Sequence, residues 1–430
     1  MSSIAITRQW NGTPETIAAS AGRCFHLLLE SPRWLYLATL AVMLFRPPGL
    51  EFYHLDRIAL LLLVFVVILG GLVRRQSFRL ADAITWPMLA LMALSAWGVA
   101  SQPYQSELWS SFATRWLVPF AFYHLVQLTV FNDGEEFEIF SLVVLAYLSA
   151  IAIFFLLGMQ SLIFPKFILD ENLGIHAERA RGPFLQAVAN GVTLNLLGLL
   201  ALNAFRRGRL RGGMAMALLG ALPIAILATK TRAVWLSFAL SILIVPFTCQ
   251  SRRLRNACLT IAGVSTLAVF LAMNFSASRV DLSERLGDES PVTFRASLYR
   301  AGWEMFLEKP LLGWNASEIQ PELSRRISDF QSEDFVFHNS YLDVAVAHGS
   351  LGLLLYLSMF AALFRLGRPT PIEGETFLDS GFRKIWPLMV GVYALNACFV
   401  LMQYQFINAV LFSLAGMLAA QNRSALREAQ

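Results

Sequence analysis

The chain has 430 residues, of which 56% are hydrophobic and 15% charged, with a formal net charge of +5. Soluble domains run at roughly 45–50% apolar and about 25% charged, so a disordered chain, a disulfide scaffold and an ordinary cytosolic enzyme are excluded. The basic excess does not call for a nucleic-acid partner, because membrane proteins keep Lys and Arg in their cytoplasmic loops.

At about 20 residues per membrane-spanning helix, the apolar content allows about twelve spans. Residues 1–32 form a predicted cytoplasmic or interfacial segment. They lack the basic start, apolar run and small-residue cleavage site of a signal peptide. Thr13-Pro14-Glu15 reads as a helix start, with a cap, a first-position proline and an acidic first turn. Ile17, Ala21, Cys24, Phe25 and Leu28 then mark one apolar face. Nine spans are expected within 33–275, at 33–47, 58–73, 82–100, 112–131, 137–159, 183–204, 213–228, 232–248 and 257–275. Residues 276–337 form one long connection of about sixty residues, longer than a simple loop needs. Within it, Phe294 to Leu307 reads as a helix stopped by Pro310. Trp303, Phe306, Leu311, Leu312 and Trp314 favour a folded helical cap. Three more spans are expected within 338–421, at 338–364, 385–402 and 404–421, before a tail at 422–430. Arg46-Pro47-Pro48 interrupts the first stretch and the last two nearly touch, so ten or eleven spans stay open. The expected class is all-α, a polytopic membrane protein.

Charge sets the orientation. Arg74-Arg75 with Arg79, Arg206 to Arg211, Arg252 to Arg255, and Arg365 to Lys384 fall in alternate connections. The positive-inside rule makes those connections cytoplasmic, together with both termini. Asn132-Asp133-Gly134-Glu135-Glu136 is an acidic exception, and acidic residues weigh little in that rule. Three segments on the other side carry positive charge against the rule: 160–182, 229–232 and 276–337.

Walker A, GxGxxG, HExxH, CxxC and Asp-x-Asp patterns are all absent from the sequence. A nucleotide-driven or metal-dependent enzyme is therefore not expected, and no cofactor is. Cys24, Cys249, Cys258 and Cys398 show no zinc spacing and are expected to be small apolar fillers. Arg181, Arg232 and Arg295 stand in these three segments of the outer side, with Lys230 beside Arg232. Interfacial arginines often snorkel to lipid phosphate. Arg300 has Glu304 four residues on and is expected to pair with it. Arg179 and Arg181 lie near Glu178. Arg232 and Arg295 have no acidic residue at three or four positions in either direction. Arginine suits phosphate, because its planar fork makes two charge-assisted hydrogen bonds.

Of the six histidines, His26, His54 and His124 lack a polar cluster and read as structural; His176 is a minor candidate. His338 stands where the long connection becomes a span, on the same side as the arginines. A helix start and nearby arginines both disfavour the imidazolium, leaving the neutral ring that a general base requires. His348 follows ten residues on, about 15 Å deeper in a straight helix.

These segments resemble the O-antigen ligase/polymerase superfamily of membrane glycosyltransferases. The resemblance lies in Arg181-Gly182-Pro183-Phe184 with Asn190-Gly191, and in Thr231-Arg232-Ala233-Val234-Trp235. It continues through Arg295 to Glu308-Lys309-Pro310-Leu311-Leu312-Gly313-Trp314, and through His338-Asn339-Ser340-Tyr341-Leu342 to Gly349-Ser350-Leu351-Gly352. It covers roughly residues 180–360. His348 departs from it, standing where an acidic residue is expected before the glycine. The resemblance implies a metal-independent GT-C-type membrane fold in the bacterial inner membrane, with its active site at the periplasmic face. It implies an undecaprenyl-diphosphate-linked glycan as donor and lipid A–core as acceptor. His338 would be the catalytic base, and Arg181, Arg232, Arg295 and Lys230 would hold the donor diphosphate. Asn339, Tyr341, Arg300 and His176 would support them. The length and the single late loop look like a ligase; a polymerase of the same superfamily is the alternative. A twelve-span secondary transporter is a further one, though its polar residues should lie near the bilayer midplane and its halves should look alike.

Overall fold

The computed structural model describes residues 32–45, 54–75, 82–129, 134–174, 177–249, 251–274, 290–327, 335–368 and 376–428. The expected helix near Thr13, and His26 and His176, lie outside the described residues. Among those residues every regular element is helical. In chain order the helices are α1 (Arg33–Leu44), α2 (Leu55–Val73), α3 (Thr85–Ala100), α4 (Ser106–Phe112), α5 (Val118–Leu128) and α6 (Glu135–Leu156). Next come α7 (Ala187–Arg206), α8 (Gly212–Ala228), α9 (Arg232–Cys249), α10 (Arg252–Asn274), α11 (Ser290–Glu308) and α12 (Ala316–Arg326). The last are α13 (Ser340–Leu366), α14 (Ser380–Ala397) and α15 (Gln405–Glu428). A π-helical turn at Ala113–Leu117 joins α4 to α5.

A helix overlaps each of the twelve expected apolar stretches. Among the described residues, α2, α6, α7, α9, α10 and α13 are long and apolar enough to cross a membrane. Helices α1, α3 and α8 are apolar but shorter. Among the described residues the fold is all-helical, with six candidate membrane spans, which is consistent with a polytopic membrane protein. The first helix stops at Leu44, just before Arg46-Pro47-Pro48.

Helix α7 is the centre: 89% of its membrane-length window is buried, against 17% for α10 at the periphery. A helix so enclosed keeps polar side chains only when they find partners. Asn195 on α7 and Asn396 on α14 both donate to Ser237 Oγ on α9, at 3.1 and 3.0 Å, and Ser237 donates to the Val234 carbonyl. This cluster ties three helices together near the first residue of α9. Close approach of α7 and α9 requires Gly191, where a Cβ would lie 2.6 Å from Val234 Cγ1.

The arginine-rich end of the bundle explains the acidic exception in the charge pattern. Glu135, Glu136 and Glu138 begin α6, where the helix dipole favours negative charge. Arg209 pairs with Glu135, Arg33 with Glu136 at 2.8 Å, and Arg207 with Glu138 at 3.0 Å. Arg206 pairs with Asp379, the N-cap of α14. The basic connection and the acidic one are therefore complementary neighbours.

Candidate active site

At the opposite end, three sequence segments interlock. The segment before α7 carries Arg181, and the α8–α9 turn carries Lys230 and Arg232. Ala180 N–H donates to the Ala228 carbonyl at 3.1 Å, and Asn190 Nδ2 donates to the Ala180 carbonyl at 2.8 Å. The turn closes on itself through Thr229 Oγ1 to Ile226 O and Thr231 Oγ1 to Thr229 O. Trp235 then donates its indole N–H back to Ile226 O at 3.0 Å, fixing the first turn of α9 against α8.

His338 stands just before α13. Asn339 is the N-cap, its side chain accepting from the N–H groups of Tyr341 and Leu342 at 3.0 and 3.1 Å. Ser340 is buried; its hydroxyl donates to Val400 O at 2.9 Å and accepts from Met402 N–H. The loop after α14 is thereby pinned to the start of α13. Tyr341 packs its ring against Tyr356 and Phe360 and donates its hydroxyl to Ala394 O at 3.0 Å. It supports the scaffold rather than presenting a free hydroxyl.

Helix α11 brings the second half of the site. Tyr299 reaches the His338 carbonyl at 3.4 Å and the Cys398 carbonyl at 3.3 Å. Arg295 lies one turn earlier on the same face. Burial, and then the Arg295 guanidinium, hold the His338 imidazole below the usual histidine value. The neutral ring expected from the sequence is therefore favoured here, with burial as the larger cause. Asn396 contacts Ser237, five residues into α9, while Cys398 contacts Tyr299 and Val400 contacts Ser340. The end of α14 thus brings the starts of α9 and α13 to one end of the bundle, together with Arg295.

The backbone marks the same places. Among the described residues, the non-glycine positions with positive φ are Arg75, Leu185, Lys230 and His338. Such conformations cost on the order of 1–3 kcal/mol each and persist only where the surroundings enforce them. Leu185, Lys230 and His338 each sit within or beside a motif singled out in the sequence.

Two residues take different places from those expected. Arg181 is buried, and its guanidinium donates to the carbonyls of Ile168 at 3.2 Å, Leu173 at 2.5 Å and Asp170. It braces the 168–173 loop. Its neighbour Arg179 takes Glu178, at 3.3 Å. Glu304 lies 3.8 Å from Arg326 instead of pairing within its helix with Arg300, because α12 folds back over α11. Arg300 is exposed.

Sequence reasoning missed Tyr299 and the Asp343 partnership. Arg115, in the π-helical turn, pairs with Asp343 on the first turn of α13 at 2.6 Å. π-Turns recur at functional sites. Their only signal in the sequence is one arginine placed in an apolar stretch and one aspartate five residues after His338.

Residues 215–357, about a third of the chain, match the family model described as O-antigen ligase. The matched segment contains Lys230, Arg232, Arg295, His338, Asn339 and Tyr341, and it begins after Arg181. The match supports membership of the O-antigen ligase/polymerase superfamily, as the motifs implied. No curated protein matches the chain.

Proposed function

We propose that the protein is an O-antigen ligase: an inverting, metal-independent membrane glycosyltransferase of the GT-C type. It moves O-antigen glycan from undecaprenyl diphosphate to a sugar hydroxyl of lipid A–core at the periplasmic face of the inner membrane. The observation that carries this reading is that α11 and α13 bring Arg295 and His338 together at the bundle end that also carries Lys230 and Arg232, all within the matched segment.

In this reading His338 accepts the proton of the acceptor hydroxyl as its oxygen attacks the anomeric carbon. The bond from that carbon to the diphosphate oxygen breaks, and undecaprenyl diphosphate leaves from the opposite face. Attack opposite the leaving group inverts the anomeric centre. General-base help of this kind is worth about 10²–10⁴ in rate. Lys230, Arg232 and Arg295 stabilise the negative charge that grows on the leaving diphosphate, which is often the largest catalytic contribution. Three cations meet that need without a metal, so transfer should survive EDTA. Arg181 shapes the wall of the site from behind, because its donors are engaged by three carbonyls. Tyr299 fixes the carbonyl of His338, and Asn339 starts the helix that follows it. Arg300 lies at the rim.

The test is deletion of the gene followed by electrophoresis of lipopolysaccharide. Loss of all O-antigen from the core, with long lipid-linked polymer accumulating, is the expected result. Core bearing a single repeat would make the protein a polymerase.

A further inference from the structure

Helix α11 has two unlike halves. Its first half brings Arg295 and Tyr299 to the candidate site. Its second half carries Trp303 and Leu307 one turn apart, followed by Leu311 and Leu312 in the turn after the helix; all four are exposed, Leu311 and Leu312 at 72% and 69%. Contiguous large apolar side chains on a surface mark a contact with something apolar.

The position of this patch follows from backbone pairing. Tyr299 meets the His338 carbonyl, Gly302 lies against Phe337 and Leu342, Trp314 N–H donates to Val346 O at 2.8 Å, and Ser350 N–H donates to Pro310 O at 2.7 Å. Helix α11 and the first half of α13 therefore run side by side in the same direction. The 310–314 turn meets α13 ten residues past Ser340, about 15 Å along its axis. There α13 breaks its helical geometry at Gly349, with φ 64 and ψ −163, and a Cβ at that position would lie 2.2 Å from the Leu311 carbonyl. The turn fills the break and takes up the freed N–H of Ser350, which a membrane-embedded backbone requires. Leu311 and Leu312 then continue the exposed row Leu351, Leu354 and Leu357 of the span itself.

Charge separates onto the other side. Glu308 pairs with Arg326 at 2.7 Å, Lys309 with Glu318 at 2.6 Å, and Arg326 also with Glu322 at 2.6 Å. Helix α12 supplies the partners, so it lies along the charged side of α11 and leaves the Trp303–Leu312 side uncovered. One apolar face and one charged face, joined by backbone to a lipid-facing span, is the pattern of an interfacial helix.

We propose that Trp303, Leu307, Leu311 and Leu312 are inserted among phospholipid acyl chains of the leaflet on the His338 side. The 276–337 connection is then not a free aqueous cap. It is anchored in the bilayer at one end of α11 and delivers Arg295 and Tyr299 at the other. This rests on the membrane-spanning assignment of α13 and is independent of the transferase reading.

The test places benzoylphenylalanine singly at positions 307, 311, 312, 308 and 354 of the full-length protein. Each variant is reconstituted in vesicles of phosphatidylethanolamine and phosphatidylglycerol and irradiated. Intact-mass measurement should show phospholipid adducts at 307, 311 and 312, comparable to those at the span position 354, and several-fold fewer at 308. Adducts at 354 without adducts at 311 and 312 would overturn the proposal. Equal adducts at 308 and 312 would also overturn it, by removing the sidedness of the helix. Neither outcome bears on whether the protein transfers glycan.

Discussion

At His338 the physical chemistry gives the sharpest expectation. A histidine whose pKa is lowered by burial and by Arg295 stays neutral until the pH falls through that lowered value. If His338 is the base, it acts above its pKa, so the acid limb of kcat/KM should lie below the ordinary histidine value of about 6.5. Replacing Arg295 with Gln removes one of the two causes and should move that limb upward, whatever it does to the maximal rate. An acid limb unmoved in Arg295→Gln would separate the two residues. Arg232→Lys keeps charge and loses the fork; if Arg232 grips diphosphate, transfer should fall about 10–100-fold, the worth of a hydrogen bond to a charged group. Arg181→Ala discriminates between two roles. A brace donating to three carbonyls predicts a lower melting temperature with donor affinity kept; a diphosphate ligand predicts the reverse. Arg232 and Arg295 stand out in the sequence because low charge content lets each cation be weighed singly, and His338 because there are only six histidines. The carbonyls that occupy Arg181 do not, since carbonyls leave no trace in side-chain spacing.

Among the helices, legibility followed locality. The start of α13 was marked near His338, where the long connection gives way to an apolar stretch, and the end of α1 near Arg46-Pro47-Pro48. The break at Gly349 was not, because its cause is the Leu311 carbonyl nearly forty residues away in the chain. The Arg300–Glu304 expectation failed for the same reason: i,i+4 pairing is a local rule, and Arg326 arrives from another helix. The pair between Arg115 and Asp343 crosses from the π-helical turn to α13, and its side chains are largely shielded. Breaking a buried pair by removing one partner costs roughly 3–5 kcal/mol, because the other charge is left behind. Asp343→Asn should therefore lower the melting temperature clearly. The double replacement Arg115→Met with Asp343→Leu should recover much of that loss. Equal melting of Asp343→Asn and the parent would mean the pair carries no structural weight.

Over the whole molecule, the two ends of the bundle divide the work. At one end arginines are spent on Glu135, Glu136, Glu138 and Asp379, holding helices together. At the other, α9, α11 and α13 bring Lys230, Arg232, Arg295 and His338 to one end, with α14 as the bracket behind them. The Arg206 to Arg211 run that the positive-inside pattern singles out lies at the first of these ends. The central claim is that the second end transfers a lipid-linked glycan. It is tested most directly with the purified protein in vesicles, supplied with undecaprenyl-diphosphate-linked glycan and lipid A–core in EDTA. The account predicts glycan-bearing lipid A–core from the parent protein, and none from His338→Ala although that variant still binds the donor. Transfer by His338→Ala at the parent rate, or transfer that stops on chelation and returns with magnesium, would contradict it.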